Sequence, residues 1–137
     1  MSVRTSRLPV PELETSPDAQ PYWEGAARGR LVLPRCKACG HVIWYPRPFC
    51  PECGSRDVEW FEATGKGILY SLTTVHRSQG DYAASVPYIV AYVELDEGPR
   101  VLTNIVGWQA PLEIGQPVQA VFEQDSNGQG ILRFQPA

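Results

Sequence analysis

The sequence predicts a mainly β chain in which a short N-terminal helix and a small metal-binding ribbon precede a five-stranded barrel. Three observations predict it: two C-x2-C pairs ten residues apart, alternating apolar and polar runs beyond residue 60, and no helical periodicity there. A length of 137 residues is enough for one small module plus a barrel, and 43% apolar residues are enough for a packed core.

Taken in order, residues 1–16 have no apolar periodicity, contain Pro9 and Pro11, and are expected to be a flexible arm, with a partner-wrapped arm as the alternative. A short helix is expected over 17–29, starting between Asp18 and Pro21, because proline suits a first helical turn whose N–H has no partner. Tyr22 with Ala26, and Trp23 with Ala27, are four apart and share faces, and Gly29 is a suitable stop. Two adjacent large aromatics on so short a helix must pack on the body of the protein or on another chain. Residues 30–60 read as a ribbon. Arg30 to Arg35 alternates like a strand and feeds Cys36, and Val42 to Tyr45 reads as a short β segment closed by Pro46 and Pro48.

Residues 61–137 read as strands only. They are Ile68–His76, Tyr88–Asp96, Arg100–Val106, Val118–Glu123 and Ile131–Phe134, with a polar loop over 78–87 and a turn-rich DSNGQG before the last. Pro111, Gly115 and Pro117 exclude a sound helix in the link before the fourth strand. Five short strands without interleaved helices suit a small Greek-key barrel, and the oligomer-binding (OB) barrel has that count. Many OB barrels carry a helix between strands three and four; here none is expected.

The chemistry lies in Cys36-Lys37-Ala38-Cys39-Gly40 and Cys50-Pro51-Glu52-Cys53-Gly54. Cysteines three apart turn both sulfurs onto one ion, and two such knuckles supply four thiolates, a closed tetrahedral set with Zn–S near ~2.3 Å. With no open position the metal is structural. Zinc and iron, as in rubredoxin, both suit four sulfurs. A dithiol redox motif would come with strands alternating with helices, which this chain lacks, and disulfides suit an oxidising compartment.

No apolar run approaches the ~20 residues of a membrane span, and residues 1–15 lack a secretory apolar stretch. A cytoplasmic location is therefore expected, with no membrane partner. Residues 1–62 balance eight basic against eight acidic groups, whereas 63–137 carry four against seven. An acidic barrel is a poor match for phosphate backbones. Six basic residues between Arg28 and Arg56, against Glu52 alone, offset the thiolate centre or offer an anion contact, to phosphates of coenzyme A or an acidic partner patch. His41 adjoins a ligand set already filled by cysteine. His76 has no nucleophile placed beside it, and Glu94, Asp96 and Glu97 read as a solvated strand end.

The order of Pro21-Tyr22-Trp23-Glu24-Gly25-Ala26, Arg28-Gly29, Leu31-x-Leu33-x-x-Cys36, the two knuckles and Gly65-Lys66-Gly67-Ile68-Leu69-Tyr70-Ser71 resembles a known family. It is the zinc-ribbon and OB-fold family associated with acyl-CoA enzymes, long catalogued as a domain of unknown function. The resemblance runs from about Ser16 to Phe134 and implies a rubredoxin-like zinc ribbon ahead of an OB barrel. It further implies a non-catalytic accessory subunit, in a hetero-oligomer with a thiolase-like or hot-dog-fold acyl-CoA enzyme. Sterol side-chain aldolases, thiolases, acyltransferases and enoyl-CoA hydratases are such partners, in steroid, lipid or polyketide metabolism. Cys36, Cys39, Cys50 and Cys53 would be the zinc ligands; Tyr22, Trp23 and Arg28 would be candidates for partner contact, with a coenzyme A thioester contact open. No catalytic residue is implied. The alternative is a single-stranded nucleic-acid-binding OB module, for which the barrel offers Tyr70, Tyr82, Tyr88, Tyr92 and Trp108 but only Lys66, Arg77, Arg100 and Arg133 as cations.

Overall fold

A computed structural model describes residues 8–137. A 3-10 turn (Pro17–Ala19), capped by the Ser16 hydroxyl accepting from the Asp18 N–H at 3.3 Å, runs into helix α1, Gln20–Ala27. The Arg30 N–H reaches back to Gly25 O at 2.8 Å and ends the helix beside Gly29. Strands β1 (Val32–Cys36) and β2 (Val58–Glu62) pair antiparallel, with Leu33 opposite Phe61. The sequence reading passes over β2, because Glu59 and Glu62 interrupt the apolar pattern of Val58, Trp60 and Phe61. The β segment expected over Val42 to Tyr45 shrinks to a single bridge between Val42 and Arg35. Beyond that bridge Trp44 and Tyr45 leave the ribbon sheet and cluster with Tyr22, at ring-centroid distances of 5.8 and 6.1 Å.

The barrel consists of β3 (Lys66–Val75), β4 (Tyr88–Leu95), β5 (Arg100–Ile105), β6 (Pro117–Gln124) and β7 (Gly130–Pro136). It closes in the order β3-β4-β5-β7-β6, and the single parallel contact joins Ile105 of β5 to Phe134 of β7. These are the five strands expected from the sequence, shifted by a residue or two at their ends, and no helix occupies residues 106–116 between β5 and β6. A 3-10 turn, Gly80–Ser85, lies in the polar loop between β3 and β4. Alternation decides the facing: Ile89, Ala91, Val93 and Leu95 of β4, Val101 and Ile105 of β5, and Leu132 and Phe134 of β7 all point inward. In β3 a bulge between Leu69 and Ser71 lets Tyr70 stand out of register.

The same core continues through Leu31 and Leu33 into Ala19, Tyr22 and Ala26 of the helical segment. Helix and barrel meet backbone to backbone, since a Cβ added at Gly130 would stand 2.2 Å from the Ala26 carbonyl oxygen.

β6 departs from simple alternation. Val121 and Glu123, on its outer face, are as buried as Ala120 and Phe122 on the inner one. The cover is the N-terminal arm. Residues 1–7 lie outside the described residues, but residues 8–16 run along the outer face of β6 and β7, a docked course where the sequence alone suggests a flexible arm. Leu8, 8% exposed, packs with Val106 and Val121, and the Pro9 carbonyl accepts from Arg133 Nη2 at 2.9 Å. The Leu13 N–H donates to Asp125 Oδ2 at 3.1 Å, and Asn127 Nδ2 donates to Glu12 Oε1 at 3.2 Å.

Two expectations follow from this packing. Gly130→Ala forces the hairpin off α1 and lowers unfolding free energy by about 1–3 kcal/mol, read by urea unfolding. The Asp125 carboxyl is held below its ordinary value of 3.8, chiefly by the Leu13 N–H and further by those of Gln129 and Asn127. The contact is therefore present at neutral pH and lost as pH falls through that lowered value. An NMR titration should show the Leu13, Asn127 and Gln129 amides moving together, with a midpoint below 3.8.

Candidate metal centre and partner surface

The end of β1 carries Cys36 out of the core, and the chain folds back at once. The Cys36 N–H donates to His41 O at 2.9 Å, and the Gly40 N–H donates to Cys36 O at 2.8 Å. The second knuckle repeats this with Cys50 N–H to Ser55 O and Gly54 N–H to Cys50 O, both 2.8 Å. Such a reversal needs a left-handed residue after the second cysteine; Gly40 (φ 80°) and Gly54 (φ 78°) supply it without a Cβ clash. Cys36 and Cys50 are buried on Ile43 and Val58, whereas Cys39 and Cys53 face outward.

All four Sγ atoms lie within 4.8 Å of one another, and Cys36–Cys53 and Cys39–Cys50 are each 3.6 Å apart. A tetrahedron with metal–sulfur bonds of about 2.3 Å has sulfur–sulfur edges of about 3.8 Å, so the donor set fits one ion. The electrostatics agree. The Cys39 N–H draws the Cys36 thiol down to about 7, against the opposing effect of burial. Although the His41 N–H favours its thiolate, Cys39 is pushed up to about 12 by burial and the neighbouring sulfurs. Four sulfurs at this spacing cannot all ionise without a cation among them, and a bound metal supplies it. Filled by four cysteines, the site offers no open position, so its chemistry is structural.

The other residues singled out by sequence fall elsewhere. His41 contributes its backbone carbonyl to the first knuckle, and His76 is exposed at the end of β3. Glu94 pairs with Arg100 at 3.1 Å, and Glu97 accepts from the Thr64 N–H at 3.0 Å, so the acidic strand end is engaged in structural contacts. Of the basic residues around the ribbon, Arg30 pairs with Glu62 and Arg35 with Glu59, at 3.8 and 4.0 Å. Among the described residues Arg28, Lys37 and Arg56 stay exposed without an ion-pair partner. Tyr22 is only 4% exposed, and burial reinforced by Tyr45 raises its phenol far above the ordinary value. Of the three partner-contact candidates it therefore has little surface to offer; Trp23 is half-buried and Arg28 exposed. Trp23 borders a groove of about 390 Å³ that is also lined by Gln20, Glu24 and Gln129.

Sequence reasoning misses an apolar patch on the barrel. Ile68 and Tyr70 of β3, Tyr92 of β4 and Leu102 of β5 are all exposed, Leu102 by 58%, and Tyr92 stands directly opposite Leu102. Parity could have revealed it, because Tyr92 and Leu102 occupy the outward phase of strands whose inward phase is already apolar. As a nucleic-acid surface it is poorly furnished. Arg133 is 1% exposed, and Arg100 is stacked on Tyr70 at 3.9 Å while bonded to Glu94.

A four-sulfur ribbon followed by a closed barrel of this strand order defines a zinc-ribbon/OB-fold protein. Residues 23–59 match the family model of the ChsH2 rubredoxin-like zinc ribbon domain, and residues 60–123 that of the ChsH2 C-terminal OB-fold domain. A DUF35 domain-containing scaffold protein of Methanothermobacter thermautotrophicus is 35% identical over 111 residues, covering 78% of this chain and 84% of that protein. The chain belongs to this DUF35 (ChsH2) family. A protein of Thermomonospora curvata named as a probable enoyl-CoA hydratase alpha subunit is 46% identical over 99 residues, 71% of this chain. This chain spans only 30% of that relative's length. Among solved structures, a chain of the Ltp2–ChsH2 (DUF35) aldolase superposes with a TM-score of 0.78 at 37% identity, covering 91% of this chain and 98% of that one.

The metal centre makes a direct expectation. Elemental analysis should find one metal ion per chain. Cys50→Ser, which exchanges a buried thiolate for a poorer ligand, should abolish it and unfold the ribbon, since binding energy of roughly 10–16 kcal/mol is then lost to folding. Metal content and cysteine accessibility to a thiol reagent check this.

Proposed function

We propose that this chain is a non-catalytic, zinc-bound adaptor subunit of a thiolase-like or hot-dog-fold acyl-CoA enzyme, working in the cytoplasm in lipid, steroid or polyketide metabolism. The observation that carries it is the apolar patch of Ile68, Tyr70, Tyr92 and Leu102, on a chain matched almost end to end by the DUF35 chain of an aldolase. Grouped exposed apolar side chains mark interaction surfaces, and tyrosine is a frequent anchor. No helix among the described residues is long and apolar enough to cross a membrane.

In this reading zinc supplies only folding energy, held by Cys36, Cys39, Cys50 and Cys53. The patch buries against the enzyme, and Arg100, fixed between Tyr70 and Glu94, orients the phenol ring. Trp23 and Arg28 add a second contact at the helix. Arg28, Lys37 and Arg56, without ion-pair partners among the described residues, are available to phosphates of a coenzyme A thioester.

Co-expression with a thiolase-like or hydratase enzyme encoded beside it, followed by size exclusion, tests the proposal. The two should co-elute. Leu102→Glu, with metal content unchanged, should weaken the complex by about 2 kcal/mol or more, measured by titration calorimetry. Separate elution, with enzyme activity indifferent to the chain, would refute the adaptor role.

A further inference from the structure

The outer face of β6 and β7 holds an arrangement that a solvated barrel wall does not need. Val121 and Arg133 stand opposite each other in the register, and Glu123 lies one step along. Arg133 Nη1 donates to Asn104 Oδ1 of β5, Nη2 donates to the Pro9 carbonyl at 2.9 Å, and Nε lies 3.9 Å from Glu123 Oε2. Val106, Val121, Tyr82 and Tyr88 form the apolar seat of Leu8. Further along, Asp125 accepts the Leu13 N–H and Asn127 holds Glu12.

Two of these contacts recognise main chain, the Pro9 carbonyl and the Leu13 N–H; a helix would bond this pair to each other, whereas here each meets a separate partner, so the groove reads an open, extended segment. The arm is made for that shape. Leu8 and Val10 each precede a proline, which bars them from the helical region, and Pro9 and Pro11 fix their own φ. A segment already extended loses little freedom on docking. The fit is also incomplete: among the described residues, Arg133 Nε and Glu123 Oε1 are buried without hydrogen-bond partners. Departure of the arm would return water to both atoms and offset part of what is lost with its contacts.

We propose that β5, β6 and β7 form a peptide-binding groove, built on Asn104, Val106, Val121, Asp125 and Arg133, and that residues 8–13 occupy it as a releasable latch in cis. The partner it fits is an extended, proline-stiffened segment with a leucine at its start and a carboxylate four residues on. Such a segment enters only when the arm leaves, so the arm is autoinhibitory. This surface is separate from the apolar patch on β3–β5 and does not depend on the adaptor reading.

The test uses the full chain and a fluorescently labelled peptide of residues 8–15, LPVPELET. Leu8→Asp unseats the chain's own arm without touching the groove. Fluorescence anisotropy should show the peptide binding the Leu8→Asp chain about tenfold or more tightly than the wild-type chain, as expected if the groove is open about a tenth of the time or less in the latter. A glutamate-specific protease should cut after Glu12 faster in the variant. A peptide carrying the same Leu8→Asp change should not bind. Should Leu8→Asp lose its metal or its far-UV spectrum, Leu8→Ala is read in the same way. Equal binding to both chains, or none to a folded variant, overturns the proposal. So does a wild-type dimer that the peptide dissociates, because the arm would then be held in trans.

Discussion

One continuous apolar core holds helix, ribbon and barrel in a single arrangement, and the remaining features are arranged around it. Tyr22 and Ala26 of α1, Leu31 and Leu33 leading through β1, and Phe122 and Phe134 of the barrel all belong to it. Where α1 meets the β6–β7 hairpin the contact is too close for a Cβ at Gly130, so the helix has no freedom to slide. The ribbon leaves this core along β1 and β2 and has little apolar material of its own, chiefly Ile43 and Val58 around two buried cysteines. A lobe that small cannot hold its shape by burial alone, which is why four sulfurs converge at its tip. The core fixes the base of the ribbon, and a metal held by the four sulfurs would fix its end.

Charge is distributed according to the same geometry. The exposed arginines of the ribbon sheet, Arg30 and Arg35, pair across to Glu62 and Glu59 of the neighbouring strand. Such exposed pairs contribute little stability. The costly pair is the buried one, Arg133 with Glu123, whose 3.9 Å separation leaves the guanidinium dependent on Asn104 and on the Pro9 carbonyl for hydrogen bonds. A charge set into a barrel wall in this way favours whatever covers it with a carbonyl oxygen. The barrel therefore has two different outer faces: an apolar one on β3–β5 open to solvent, and a polar-floored one on β5–β7 closed by the chain's own arm.

For the proposed adaptor role, rigidity and surface matter more than reactivity. The metal position is enclosed by four cysteines, the exposed histidine His76 stands apart from it, and the acidic residues at the end of β4 and just beyond hold an arginine and a backbone N–H. What the molecule presents outward is shape: tyrosines and aliphatics fixed on barrel strands, and a helix end with Trp23 and Arg28.

Much of this is legible in the residues themselves. The knuckles announce the metal because a C-x2-C-Gly turn has one economical geometry and four thiolates need one cation. Alternation announces the five barrel strands, since a side-chain period of two survives without knowledge of neighbours. Local pattern carries less information about β2, whose glutamates hide its phase, and about Val42 to Tyr45, whose aromatics belong to Tyr22 and not to a sheet. Tyr22 itself needed the fold to show which of its two possible destinations it takes. Tertiary structure alone decided the fate of residues 8–16 and of Arg133. A polar arm and a strand arginine both look solvated in sequence, and only their meeting, 124 positions apart, buries them together. Periodicity reports which face of a strand a residue occupies; it cannot report what the chain later lays over that face.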